Sequence, residues 1–180
     1  MSIDTYDANG NLTGNNLTPI ECHIPVEYPS YPATEYDYAV ITVAEDLSDH
    51  FIFNIGASYN VNETNYSSIP IYLTGCPAQV HHINNSYSLN TNHKLYSDEG
   101  HIVDITVSDP SIITYFSSDY YSGQSGSPVY TISHTTIGNT VTVRCNVLAI
   151  FHGGIPGNYG TGSRITKYHL QFYNNNSHLD

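Results

Sequence analysis

Gly123-Gln124-Ser125-Gly126-Ser127-Pro128-Val129-Tyr130-Thr131-Ile132 is a glycine-flanked serine loop that runs directly into an apolar strand. Glycine at 123 permits a tight turn, so the amides of Gly123 and Ser125 are able to converge on one developing oxyanion. Pro128 stiffens the exit into the strand Val129–Ile132. Ser125 is therefore the candidate nucleophile. Ser117, Ser118, Ser122 and Ser127 surround it, which makes a plain flexible Ser/Gly loop the competing reading. An α/β-hydrolase elbow is excluded, because that motif needs glycine where Ser127 stands and a helix after the serine.

Outward from this loop, short apolar runs recur about every ten residues with turn signals between them, the spacing of a barrel or sandwich rather than of βαβ units. Expected strands are 37–43, whose near-continuous apolar run predicts burial on both faces, then 69–74, 79–83, 102–107, 112–116, 129–133 and 140–151. Residues 51–55 read as a second short strand or a crossing segment. Residues 1–20 read as a turn-rich, exposed entry, 56–68 as a polar connector. Only 165–173 has the pattern of a helix, a short one.

The 180 residues suffice for one compact domain or two small ones with a real core. Tyrosine is abundant, lysine and arginine nearly absent, and the net charge is −12. No basic stripe exists to neutralise phosphates, so nucleic acid is excluded as a partner, and an anionic membrane surface is disfavoured. Three cysteines, Cys22, Cys76 and Cys145, allow at most one internal disulfide, and the sequence does not say which two pair. Asn-x-Ser/Thr patterns at Asn11, Asn16, Asn62, Asn65, Asn84 and Asn175 point weakly to a secreted, extracellular protein. Residues 1–16 are polar and acidic, without the apolar core of a signal peptide or a membrane span. His81, His82, His93 and His101, with Asp98 and Glu99, lack zinc-motif spacing and read as a solvated polar loop, so no metal or other cofactor is expected.

Several segments in chain order resemble the chymotrypsin-like (PA clan) serine proteases, particularly the glutamyl-endopeptidase or V8-like type. They are Ile24-Pro25-Val26-Glu27-Tyr28, Asp37-Tyr38-Ala39-Val40-Ile41, Leu73-Thr74-Gly75-Cys76-Pro77, the loop from Asp119 to Val129, Val147 to Gly154, and Gly162-Ser163-Arg164-Ile165-Thr166. The resemblance spans most of residues 24–170. It implies an all-β fold with a complete six-stranded C-terminal barrel, the remnant of an N-terminal barrel and a short C-terminal helix. The implied boundaries are 1–50 for the remnant carrying the triad aspartate, 51–68 for the connector, 69–165 for the barrel with the nucleophile, and 166–180 for the helix and tail.

The same resemblance implies roles. Ser125 attacks a peptide carbonyl, Asp37 orients the general base, and Gly123 with Ser125 forms the oxyanion hole; about 90 residues separate the aspartate and serine in such triads, as they do here. Asp119, Tyr120, His152, Gly153 and Gly154 fall in the substrate-binding region. The glutamyl type carries threonine where Tyr120 stands and histidine where Phe151 stands, so His152 lies one place late and reaches the pocket only if a bulge corrects the register. Gly153 and Gly154 would let a peptide strand pair with the backbone. The family histidine belongs some forty-odd residues before Asp37, upstream of Met1. His23 is the only histidine before Asp37 and suits a surface or packing role. The expectation is a truncated, serine endopeptidase-like chain, inactive or very weak by itself, whose partner beyond a peptide or protein substrate is an upstream segment of the same gene product. The alternatives are a secreted pseudoprotease that binds peptides or proteins, and an unrelated β-sandwich.

Overall fold

A computed structural model of the chain describes residues 3–7, 9, 11–28, 36–47, 53–55, 66–81, 86–108, 111–117, 122–155 and 159–177. Its centre is a closed antiparallel barrel of six strands: β5 (Pro70–Gly75), β8 (Tyr96–Ser108), β9 (Ser111–Ser117), β10 (Pro128–Ile137), β11 (Thr140–Ile155) and β12 (Tyr159–Arg164). Around the barrel the order is β10-β11-β12-β9-β8-β5, and Val129 opposite Leu73 closes it. Closure gives every barrel strand two neighbours, which is how an all-β domain protects its backbone groups, although β10 meets β5 only at Val129 and Tyr130.

Period-two alternation produces the core. On β5, Ile71, Leu73 and Gly75 are buried while Tyr72 and Thr74 are half-buried. These inward positions meet Ile102, Ile105, Phe116, Val129, Leu148, Ala149 and Phe151 in one cluster. The Phe116 and Phe151 rings stand 5.8 Å apart at a tilt of 59°. Gly160 makes room for them, since a Cβ there would lie 3.0 Å from atoms of both rings.

Smaller units flank the barrel. β1 (Ile3–Tyr6) and β2 (Leu12–Leu17) form a hairpin, so the entry expected to be irregular is partly strand. Asp7 holds its turn by accepting from the amides of Asn9 and Asn11, at 2.8 and 2.9 Å. These bonds hold the exposed Asp7 carboxyl below the ordinary carboxylate range. Among the described residues, β3 (Pro19–His23) pairs only with β4 (Val40–Val43), and β6 (Gln79–His81) pairs with β7 (Tyr87–Leu89).

The apolar run at 37–43 is shorter as a strand than expected and is not buried on both faces: Ile41 is 38% exposed. β3 and β4 form a two-stranded sheet, too small to cover both sides of itself. Asp98, Glu99 and His101 lie on β8 rather than in a loop, paired with β5 across the barrel wall. Asn54 makes a single bridge to β11, with its amide on the Cys145 carbonyl at 2.8 Å; residues 51 and 52 of its expected segment lie outside the described residues.

Helix α1 (Lys167–Asn176) runs three residues beyond its expected end. Thr166 is its N-cap, and His169 takes the place usual for Glu or Gln in a capping box, accepting from the Thr166 amide through Nδ1 at 3.2 Å. The helix docks through aromatic rings: His169 lies 4.3 Å from Tyr38, and Phe172 meets Tyr38 edge-on at 5.3 Å. The residue beside Asp37 is thus clamped by the C-terminal helix.

Candidate active site

The loop before β10 is held from two sides. On the β5 side, the Ala78 amide donates to the Ser122 carbonyl at 2.6 Å. On the β11 side, the Gly126 amide donates to the Phe151 carbonyl at 2.7 Å and the Phe151 amide to the Ser127 carbonyl at 2.9 Å. Within the loop, the Ser127 amide closes a turn on the Gln124 carbonyl at 3.0 Å. Gln124 and Ser127 are buried beneath it, whereas Ser125 projects outward and is exposed.

Gly123 is required twice over. Its φ is +99°, and a Cβ would stand 2.7 Å from the Ala78 amide nitrogen, backbone that cannot step aside. Gly123→Ala is therefore expected to lower stability by about 1–3 kcal/mol and to displace the Ser125 amide. Thermal melting and the rate of covalent labelling at Ser125 both read this. A variant with unaltered melting and labelling would show that the loop absorbs the change.

Ser125 Oγ donates to the main-chain carbonyl of His152 at 3.2 Å, not to an imidazole. His152 sits in a bulge: Phe151 pairs with Gly162 and Gly153 with Thr161, leaving His152 opposite no partner residue. The bulge that the register argument called for is present. The Thr161 hydroxyl donates to the Gly153 carbonyl at 3.0 Å and lies 3.3 Å from His152 Nδ1. With the hydroxyl proton on the carbonyl, Nδ1–H is the donor to Thr161, and the buried Nε2 is an acceptor with no hydrogen-bond partner among the described residues. Burial pushes the His152 pKa down, partly offset by the Asp37 carboxylate, so the ring is neutral at pH 7.

Asp37 and Ser125 line one cleft of about 480 Å³, together with Ile24, Tyr38, Ile150 and Phe151. Residues nearly ninety positions apart thus meet at one surface. Asp37 is exposed. His23, 3.1 Å from Glu21 through Nε2, pairs on its own strand. Asp119 and Tyr120 lie outside the described residues, as does His82 among the clustered histidines. Among the described residues, no three metal-ligating side chains gather. Cys22, Cys76 and Cys145 are free thiols.

β10 pairs with β11 only as far as Pro128–Ile150, while β12 continues to Ile155–Tyr159. From His152 to Gly154, β11 therefore has β12 on one side and no β10 pairing on the other. A Cβ at Gly153 would meet nothing within 4 Å, so that glycine is not demanded by packing in the chain itself.

A solved Glu endopeptidase superposes on this chain with a TM-score of 0.65 at 18% identity, over 97% of this chain and 70% of that one. The fold is chymotrypsin-like. No protein-family model and no curated protein sequence matches the chain. The structural likeness agrees with the ordered segments around Asp37, Ser125 and Gly153-Gly154 as markers of fold.

Two groups escaped the sequence reading. Thr161 meets His152 only through the β11–β12 register; its one sequence signal is the alternation Gly160-Thr161-Gly162, and Gly162 is pressed against the Ile150 carbonyl, 2.7 Å from where a Cβ would be. The clamp of His169 and Phe172 on Tyr38 has no local signal, because it joins residues more than 130 positions apart.

Proposed function

We propose that this chain carries a serine endopeptidase-type acyl-transfer site in which Ser125 is the nucleophile, Asp37 orients an imidazole and the Gly123 and Ser125 amides receive the oxyanion. The observation that carries this reading is the shared cleft of Asp37 and Ser125 beside a glycine turn at φ +99°. In the reaction, Ser125 Oγ bonds to the substrate carbonyl carbon, the amine leaves with a proton, and water releases the acyl group. The open side of β11 at His152–Gly154 would hold the substrate backbone by strand addition. His152 and Thr161, brought together by the bulge, fit a glutamyl (V8-like) preference: an acidic side chain near Nε2 would draw a proton onto the ring.

Activity of the 180 residues alone is expected to be very weak, since the Ser125 hydroxyl is bonded to a carbonyl that cannot accept its proton. The test is labelling with a fluorophosphonate and location of the adduct by mass spectrometry. Slow modification at Ser125, absent in Ser125→Ala while the melting temperature is unchanged, supports the reading. Modification elsewhere, or none over days at pH 9, removes it.

The second reading is a secreted binding protein that uses the same cleft without turnover, favoured by the hydroxyl-to-carbonyl bond of Ser125. Tight peptide binding with no Ser125 adduct would select it.

A further inference from the structure

β10 and β11 outgrow the barrel. β5 meets β10 only at Val129 and Tyr130, and β12 joins β11 only from Ala149 on. Beyond those contacts residues 132–137 pair with 140–145 as a two-stranded ribbon, with no further named strand beside it among the described residues. Every residue from 132 to 144 is exposed. Gly138, at φ +61°, and Asn139 make the two-residue turn at its tip. Opposed residues share a face, so Ile132, His134 and Thr136 stand on one side with Cys145, Val143 and Val141. Val141 and Val143 are 59% and 49% exposed. A ribbon of two strands alone is marginal in water.

Proteins blunt an exposed strand edge with lysine, proline, other charges or a bulge. β3 has these devices: Pro19, Glu21 and a shift of register. Residues 131–146 contain no lysine, proline, aspartate or glutamate, and their pairing has no register shift. On β11 the Cys145 carbonyl faces away from β10, since it accepts from the Asn54 amide at 2.8 Å. By alternation the amides and carbonyls of Val143 and Val141 face the same way, and they have no main-chain partner among the described residues. The free edge is thus 140–144, bounded by the turn at one end and Asn54 at the other.

Charge selects what covers it. All but one of the 16 acidic residues precede position 120, the exception being Asp180. A cationic partner is drawn to that acidic stretch, and an anionic one is repelled by the net charge of −12, so a near-neutral strand suits 140–144. The edge itself is such a strand. Antiparallel pairing of two copies about Thr142 uses its whole length. Val141 then lies opposite Val143 of the second copy and exchanges main-chain hydrogen bonds with it, while Arg144 meets Thr140 rather than another arginine.

We propose that two copies of this chain associate through β11, about a two-fold axis at Thr142, joining their ribbons into one four-stranded antiparallel sheet. The valines of both copies form a continuous apolar stripe across it, and neither ribbon brings a carboxylate to the contact. The surface is separate from the cleft of Ser125, because β10 runs about 30 Å as extended chain from Pro128 to Ile137. The proposal therefore does not depend on the endopeptidase reading.

Sedimentation equilibrium of the full chain, from about 1 to about 100 µM, is expected to show a rise to twice the chain mass. Val143→Lys should raise the dissociation constant at least about tenfold. Ile137→Lys, at a position 77% exposed on β10, should leave it unchanged. Treatment with diamide should cross-link Thr142→Cys: two thiols pass their hydrogens to diamide, and one S–S bond forms across Cα atoms about 4.5 Å apart. Thr140→Cys stands about 13 Å from its counterpart in this register and should cross-link no more than the parent chain.

A parent chain that stays monomeric at the highest concentration overturns the proposal. So does a dimer that Val143→Lys and Ile137→Lys weaken equally, since the contact then lies elsewhere. Cross-linking at position 140 equal to that at 142, or none at 142, overturns the two-fold register. A monomeric chain that binds the peptide Asn-Thr-Val-Thr-Val-Arg would assign the edge to a foreign strand, against self-pairing.

Discussion

Phe151→Ala is expected to destabilise the chain by about 3–5 kcal/mol, lowering the melting temperature by about 10 °C. Phe151 is 2% exposed and belongs to the central cluster. Its ring meets Phe116 and covers the bare α-carbon of Gly160, so truncation leaves a void that a glycine cannot fill. Interiors are close-packed, and backbone tied into barrel hydrogen bonds collapses only partly around such a void. The same residue holds the nucleophile loop through its main chain, accepting from the Gly126 amide and donating to the Ser127 carbonyl. Phe151→Leu, which retains most of the volume, is expected to lose less than half as much stability. Equal melting temperatures for the alanine variant and the parent would show that the ring does not support the barrel.

The second large effect is a loss of stability in mild acid. His169 is buried against Tyr38, and burial pushes its pKa down from 6.5 to about 4. The folded state therefore stays neutral at a pH where the unfolded chain has already taken up a proton. Because the folded value lies below the unfolded one, this contribution is fully retained above pH 6.5 and is lost as pH falls from 6.5 towards 4. The shift corresponds to about 3 kcal/mol, reached near pH 4. Protonation at Nδ1 would also break the capping box, in which that nitrogen accepts from the Thr166 amide. Tyr38, Tyr168 and Glu27 line the same cleft. His169→Gln keeps a side chain able to accept at this helix position but does not titrate. Denaturant melts of both proteins from pH 7 to 4 isolate the effect: the difference between them should change steeply over this interval, and parallel curves would rule it out.

Much of the barrel was legible in the amino-acid order. Strand positions follow from period two and from the Gly, Pro and Asn that interrupt it, as with Ile71 and Leu73 on β5 and the strand after Pro128. The reading failed where a segment lacked a local apolar signature. Polar strands such as Leu12–Leu17, and the start of β8 at Tyr96, are held by pairing to a neighbour, which composition does not disclose. It failed in the opposite sense at Ile41, where apolar character was read as burial although burial depends on what lies across the sheet.

By itself the sequence determined the local chemistry of the site: a turn only glycine makes at 123, a serine placed two residues on, and a histidine one step out of register beside paired glycines. Backbone torsion and side-chain period are properties of a few adjacent residues, so they can be read in one dimension. Tertiary structure alone decided which of those residues share a surface. Asp37 reaches the cleft of Ser125 because Tyr38 is clamped by α1, and His152 meets Thr161 because β11 bulges against β12. The first contact joins residues more than 130 positions apart, and the second rests on the register of the β11–β12 pair, which local composition does not disclose.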